Sequence, residues 1–200
     1  EGEERKNQGG LRTKNYFKKS LDDRPLISII TVVFNGEKNL KKTIQSVISQ
    51  TYDNVEYIII DGGSTDATVN IIREYEDKID YWVSESDKGI YDGMNTGIKT
   101  IPGDWVCFLN SGDRFSNSDS IDVILKYTHC KVNVIFGRVE VFSDKETNWI
   151  YPGNNITYKN ITKWLTHSYP NHQGMFFAVN FCKENYYSLN YHVSADSLFK

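Results

Sequence analysis

No run of apolar residues in the chain reaches the ~20 that a bilayer-crossing helix needs. The succession of basic, apolar and small residues that marks a secretory signal is missing too. Cysteine is scarce. Cys107, Cys130 and Cys182 are far apart and form no C-x-x-C pair. That excludes a disulfide framework or a cysteine zinc site, and it suits a reducing cytoplasm. The sequons Asn155-Ile-Thr157 and Asn160-Ile-Thr162 are then chance matches. Neither charge dominates: 23 Lys and Arg against 26 Asp and Glu leave a net charge of -3. A nucleic-acid partner, which calls for a basic surplus, is not expected. The glycine-rich phosphate loops are absent as well. No G-x-G-x-x-G follows the first apolar run, and G-x-x-x-x-G-K-S/T occurs nowhere. A bound nucleotide would therefore not be cradled as in dehydrogenases or P-loop NTPases.

What remains is an ordinary globular composition, 39% hydrophobic and 24% charged over 200 residues, enough for one domain with its own core. Residues 1–24 are polar and without periodicity, and read as a partly disordered leader. The chain opens on Glu1 rather than Met, as a trimmed or tagged terminus would. Leu26 to Phe34 is a continuous β-branched run, the mark of a strand buried on both faces. Leu40, Ile44, Val47 and Ile48 then share one helical face behind Asn39. Val55–Ile60 predicts a second strand, and Ser64-Thr-Asp66 caps the next helix. Ile79–Ser84 predicts a third strand, Met94–Ile101 a short helix, and Asp104–Leu109 a fourth strand. A helix follows Ser118-Asp119. Val132–Phe142 reads as one long strand bent at Gly137. This alternation predicts an α/β domain with a mostly parallel sheet flanked by helices. Past about residue 145 the pattern fades into an aromatic-rich stretch.

In open α/β sheets ligands sit beyond the carboxyl ends of the strands. Here those ends are polar and acidic: Asn35-Gly-Glu37, Asp61-Gly-Gly-Ser-Thr-Asp66, Glu85-Ser-Asp-Lys-Gly89 and Asn110-Ser-Gly-Asp113. Four such tips on one rim make a site. Asp61 can accept a nucleobase N–H or a ribose hydroxyl, or cap its own turn. Asp113 can hold Mg²⁺ or Mn²⁺, hard ions that favour carboxylate oxygen, or close an Asn-Ser-Gly-Asp turn.

These segments resemble family 2 glycosyltransferases of the Rossmann-like GT-A fold, the kind found in bacterial polysaccharide assembly. The resemblance runs over roughly residues 26–199. It rests on Ile27-Ser-Ile-Ile-Thr-Val-Val-Phe-Asn35, Ile58-Ile-Ile-Asp-Gly-Gly-Ser-Thr-Asp66, Ser86-Asp-Lys-Gly-Ile-Tyr-Asp-Gly-Met-Asn-Thr-Gly97, Phe108-Leu-Asn-Ser-Gly-Asp-Arg114 and Asn171-His-Gln-Gly-Met-Phe-Phe177. It implies a single GT-A domain, with a nucleotide-sugar half over 25–114 and an acceptor half over 115–200 that stops short of its relatives. Thr31, Val33, Asn35 and Glu37 would line or border the base and ribose pocket, and Asp61 with Gly62 would meet the base, uracil by preference. Asp87, Gly89 and Asn95 would border the ribose and diphosphate. Asn110 sits at an acidic position of the family motif, as does Gly112, so that Asp113 is left as the metal ligand. Asp196 would be the general base, with a surface cap as its alternative. His172 would orient substrate or serve as a core histidine.

The implied activity is inverting transfer from a nucleotide-diphosphate sugar, UDP-linked by preference, to an acceptor hydroxyl. Its cofactor would be Mn²⁺ or Mg²⁺, and its acceptor a saccharide or a lipid-linked oligosaccharide. The expected location is the cytoplasm, at the inner face of the membrane where the acceptor is lipid-linked, with peripheral membrane association left open. Two other readings stand beside it. A nucleotide-sugar-binding module without catalysis would suit the thinned acidic motif. A nucleotidyltransferase shares the parallel sheet, but it would want a basic glycine loop after the first strand.

Overall fold

The structure is a computed structural model that describes residues 7–142, 148–153, 156–157, 159–168 and 170–190. Four strands form its parallel centre: β2 (Ile27–Val33), β3 (Val55–Asp61), β4 (Tyr81–Ser84) and β5 (Trp105–Phe108). β2 pairs with β3 on one side, Ile27 opposite Val55, and with β5 on the other, Ile27 opposite Trp105. β1 (Gln8–Gly9) adds antiparallel to β4. Beyond β5 come β9 (Met175–Ala178), antiparallel, and β6 (Val134–Phe136). The spatial order is β1-β4-β3-β2-β5-β9-β6.

Side chains alternate across a strand, and both faces here are covered, which is why β2 and β3 are apolar throughout. One face packs Ile27, Ile29, Tyr57 and Ile59 under α1 (Leu40–Ile48) and α2 (Thr68–Glu74). The other packs Ile30, Val32, Ile58 and Ile60 under α3 (Ile90–Thr100). α4 (Ser120–Leu125) adds Ile121 to the first layer. Cys107 and Cys182 are buried, Cys130 is exposed, and all three are free.

Residues 7–24, expected as a loose leader, are built into the domain. β3 and the loop before β4 bury two carboxylates, Glu56 and Asp80, each 1% exposed. Buried charges need partners, and the N-terminal segment supplies them. Arg12 ion-pairs with Glu56 and donates to Thr100 O at 2.9 Å, while Lys18 Nζ lies 3.0 Å from Asp80 Oδ2. Ser28 Oγ also donates to Glu56 at 3.0 Å. A segment held by single charged anchors shows no hydrophobic period.

The long strand expected over 132–142 divides at Gly137. β6 stays in the main sheet, whereas β7 (Val139–Phe142) leaves it to pair with β8 (Asn148–Tyr151). Gly137 N–H donates to Gly174 O at 2.9 Å, so the backbone turns toward another segment there. α3 begins at Ile90, four residues before the expected start, because Gly89 with φ 111° opens it. Two short helices, α5 (Ile161–Leu165) and α6 (Val179–Glu184), complete the described residues.

Candidate active site

β2 has parallel neighbours on both sides, and the chain leaves its carboxyl end in the crevice between them. A cleft of about 410 Å³ opens there. Val32, Val33, Phe34 and Ile90 give it apolar walls, and Asn35, Glu37, Asp66, Asn110 and Ser111 give it polar ones. Phe34 is 65% exposed, an aromatic face offered to the cleft. The reading of residues 26–34 as strand interior hid it, although it is the first residue past β2. Thr31, expected in the lining, lies beneath it. It is wholly buried, with its hydroxyl donated to Leu109 O at 2.8 Å, because inward positions of a doubly covered strand face core.

Asn35 sits at φ 51°, a left-handed conformation that Asn tolerates. It turns the chain so that loop 35–37 meets loop 64–68. Asn35 N–H donates to Ser64 Oγ at 2.7 Å, and Asn35 Oδ1 accepts Thr65 N–H at 2.9 Å. Glu37 N–H donates to Asp66 Oδ2, and Ala67 N–H to Glu37 Oε2, both at 3.1 Å. This reciprocal latch fixes one wall of the cleft.

Asp61 is fully buried at the end of β3. Its Oδ2 accepts Gly63 N–H at 3.2 Å, Ser64 N–H at 2.9 Å and Ser84 Oγ–H at 2.6 Å, and its Oδ1 takes the Ser64 hydroxyl. The turn-capping alternative is therefore the arrangement present. Gly62 N–H donates to Val33 O at 2.9 Å, joining this turn to β2. Asp87 stands over two glycines: a Cβ at Gly62 would lie 2.9 Å from its Oδ2, and one at Gly93 3.2 Å. Burial raises the Asp87 carboxyl above its ordinary range, Asp92 and Asp61 add to that, and Gly89 N–H, donating at 2.8 Å, offsets part of it.

Asn95, expected at the ribose and diphosphate, is turned away from the cleft. Its amide is 2.9 Å from Tyr187 O and its carbonyl oxygen 2.9 Å from Tyr187 N, so both polar atoms are held by that backbone. On α3 it lies on the buried face with Met94 and Ile98.

Past β5, Asn110 and Ser111 line the cleft, and Asn110 Oδ1 and Ser111 Oγ are buried without a hydrogen-bond partner among the described residues. Asn110 Nδ2 lies 3.1 Å from His172 Nε2. Asp113 is partly buried, and that burial raises its carboxyl above the ordinary range, against the hydrogen bond from Gln173 and the nearby His172. Its backbone oxygen accepts Thr43 Oγ1–H at 2.8 Å. Asp196 lies outside the described residues. No group of three His, Cys, Asp or Glu that could enclose a metal ion occurs among the described residues. A single carboxylate in the same loop as two neutral, unpartnered oxygens does fit an ion whose coordination a diphosphate completes.

The family described as Glycosyl transferase family 2 matches residues 28–183. The chain belongs to this family. An uncharacterized glycosyltransferase of Mycobacterium tuberculosis is 45% identical over 98 residues, covering 48% of this chain and 37% of the relative. The glycosyltransferase GlyA of Streptococcus pneumoniae is 29% identical over 129 residues, 63% of this chain and 18% of that protein. The chain thus spans well under half the length of these relatives. Among solved structures, TarS of S. aureus in complex with UDP superposes with a TM-score of 0.67 at 18% identity, over 87% of this chain and 53% of that one. The mannosyltransferase PcManGT of Pyrobaculum calidifontis, in complex with GDP-Man and Mn²⁺, gives 0.66 at 16%, over 90% and 54%. The fold of this family 2 glycosyltransferase is GT-A: one mostly parallel sheet with helices on both faces. No helix among the described residues is long and apolar enough to cross a membrane.

Proposed function

We propose that the chain is an inverting glycosyltransferase domain that moves a hexosyl or N-acetylhexosaminyl group from a nucleotide-diphosphate sugar, UDP-linked by preference, to an acceptor hydroxyl. The observation that carries this is the cleft at the end of β2, with two buried, unpartnered oxygens on its wall at Asn110 and Ser111. Unpartnered buried acceptors cost free energy until a ligand supplies donors.

Phe34 and Val33 offer an apolar face to the base, and the latch of Asn35, Glu37 and Asp66 holds that wall still. Asp61 reaches a base N–H only by giving up a turn bond, so its contact is an exchange. Asp87, Gly62 and Gly89 border the ribose and diphosphate. Asp113, with Asn110 Oδ1, would hold a Mn²⁺ or Mg²⁺ ion. Such an ion, when bound, offsets the charge that develops on the leaving diphosphate. Asp196 takes the proton of the acceptor hydroxyl as that oxygen attacks the anomeric carbon, and a single displacement inverts the configuration. The acceptor is a saccharide or lipid-linked oligosaccharide in polysaccharide assembly, met in the cytoplasm at the inner membrane face.

A panel of UDP- and GDP-sugars tests this, read by nucleotide release and by the anomeric configuration of the product. Release from a UDP-sugar with inversion supports the proposal; a retained configuration contradicts the single displacement. Asp196→Asn should lose turnover while keeping donor affinity. The neutral residues Asn110 and Gly112 at acidic positions of the family motif favour the second reading, a non-catalytic binding module. Full donor affinity with neither transfer nor donor hydrolysis would select it.

A further inference from the structure

A side chain of one short turn holds Asn110, the first polar residue past β5. The turn is a single 3-10 turn, His172–Gly174, directly before β9. His172 Nε2 stands 3.1 Å from the Asn110 amide nitrogen. An amide nitrogen only donates, so Nε2 accepts and the ring carries its proton on Nδ1. With its NH₂ drawn to the ring, Asn110 turns its carbonyl oxygen the other way. That oxygen has no hydrogen-bond partner among the described residues, and neither has the adjacent Ser111 Oγ.

The turn cannot drift relative to β5. β9 pairs with β5, Cys107 opposite Phe176. The Cys107 thiol lies 3.8 Å from Gln173 O. Gly174 O accepts Gly137 N–H at 2.9 Å, and a Cβ at Gly174 would come within 2.7 Å of Val139 Cγ1. The turn is therefore packed from the β5 side and from the β6–β7 junction at once.

We infer that His172 is a positioning residue of the donor site, held in its turn before β9 and setting which way the Asn110 amide faces. This rests on the proposed donor-site reading and deepens it. Without an acceptor at position 172, the Asn110 amide presents NH₂ or C=O to a ligand with little preference, and the acceptor edge it forms with Ser111 is lost for half the population or more. His172 does not need to touch the reacting atoms.

The test is calorimetric titration of UDP and of GDP, with Mn²⁺ and with EDTA, alongside the thermal midpoint of each variant. His172→Phe keeps ring volume and removes the acceptor. It should weaken UDP binding about tenfold with the midpoint little changed. His172→Gln restores a carbonyl acceptor at similar reach and should bind within about threefold of wild type. A merely structural role moves affinity and midpoint together and shows no rescue by Gln, which would overturn the inference. Wild-type affinity in His172→Phe would overturn it too. Should His172→Phe fail to fold, His172→Leu takes its place against His172→Gln, with the same outcomes. Wild-type protein that binds neither nucleotide contradicts the donor-site reading, and the inference with it. Wild-type protein that binds beside variants that match it contradicts the inference alone.

Discussion

Asn95 and Tyr187 form a closed pair: the Asn95 amide donates to Tyr187 O and its carbonyl oxygen accepts Tyr187 N–H, each at 2.9 Å. The Tyr187 ring stacks on Tyr91 at 5.3 Å and meets Phe108 edge-on at 5.7 Å. The segment after α6 is thereby tied to the helix whose N-terminal loop carries Asp87. Asn95→Ala leaves a buried N–H and a buried C=O unpaired, a loss of about 2 kcal/mol. Urea unfolding should show that loss, with UDP affinity unchanged in the folded protein. A fall in affinity with no loss of stability would instead make Asn95 a donor contact.

Glu56 gives a pH dependence with a definite sign. Burial raises its carboxyl above the ordinary 4.5, against the Arg12 and Ser28 contacts that lower it. A carboxyl raised by folding binds its proton in the folded state first, so stability rises as pH falls through the raised value and levels off below 4.5. Measured against Glu56→Gln by urea unfolding, wild type should gain relative stability from pH 7 down to about 4.5. A difference that shrinks over that window would contradict the assignment.

Gly62 is close to the Asp87 carboxylate, where a Cβ would lie 2.9 Å from Oδ2. Asp87 is partly exposed and can move aside, so Gly62→Ala should fold. It should displace Asp87 and weaken UDP binding by about tenfold, or 1.4 kcal/mol. Unchanged affinity would remove Asp87 from the donor site.

The central sheet was legible because β2 and β3 are buried on both faces and therefore continuously apolar. The rim was legible because its polar tips follow those runs directly. Three features were not. Residues 7–24 hold to the domain through Arg12 and Lys18, and isolated charges carry no period. Gly137 marks the bend in residues 132–142, but only the pairings in space show that the run divides there between two sheets. Thr31 and Asn95 read as site residues because they lie within motifs, yet strand alternation and helix phase turn both toward the core.

The proposed donor site depends on Asp113 as its metal-holding carboxylate. UDP should be titrated calorimetrically into wild type and Asp113→Ala, with Mn²⁺ and again with EDTA. The expected result is wild-type binding that Mn²⁺ strengthens by about tenfold or more, with that strengthening absent in Asp113→Ala. Binding that is the same in EDTA, and the same in Asp113→Ala, would contradict it.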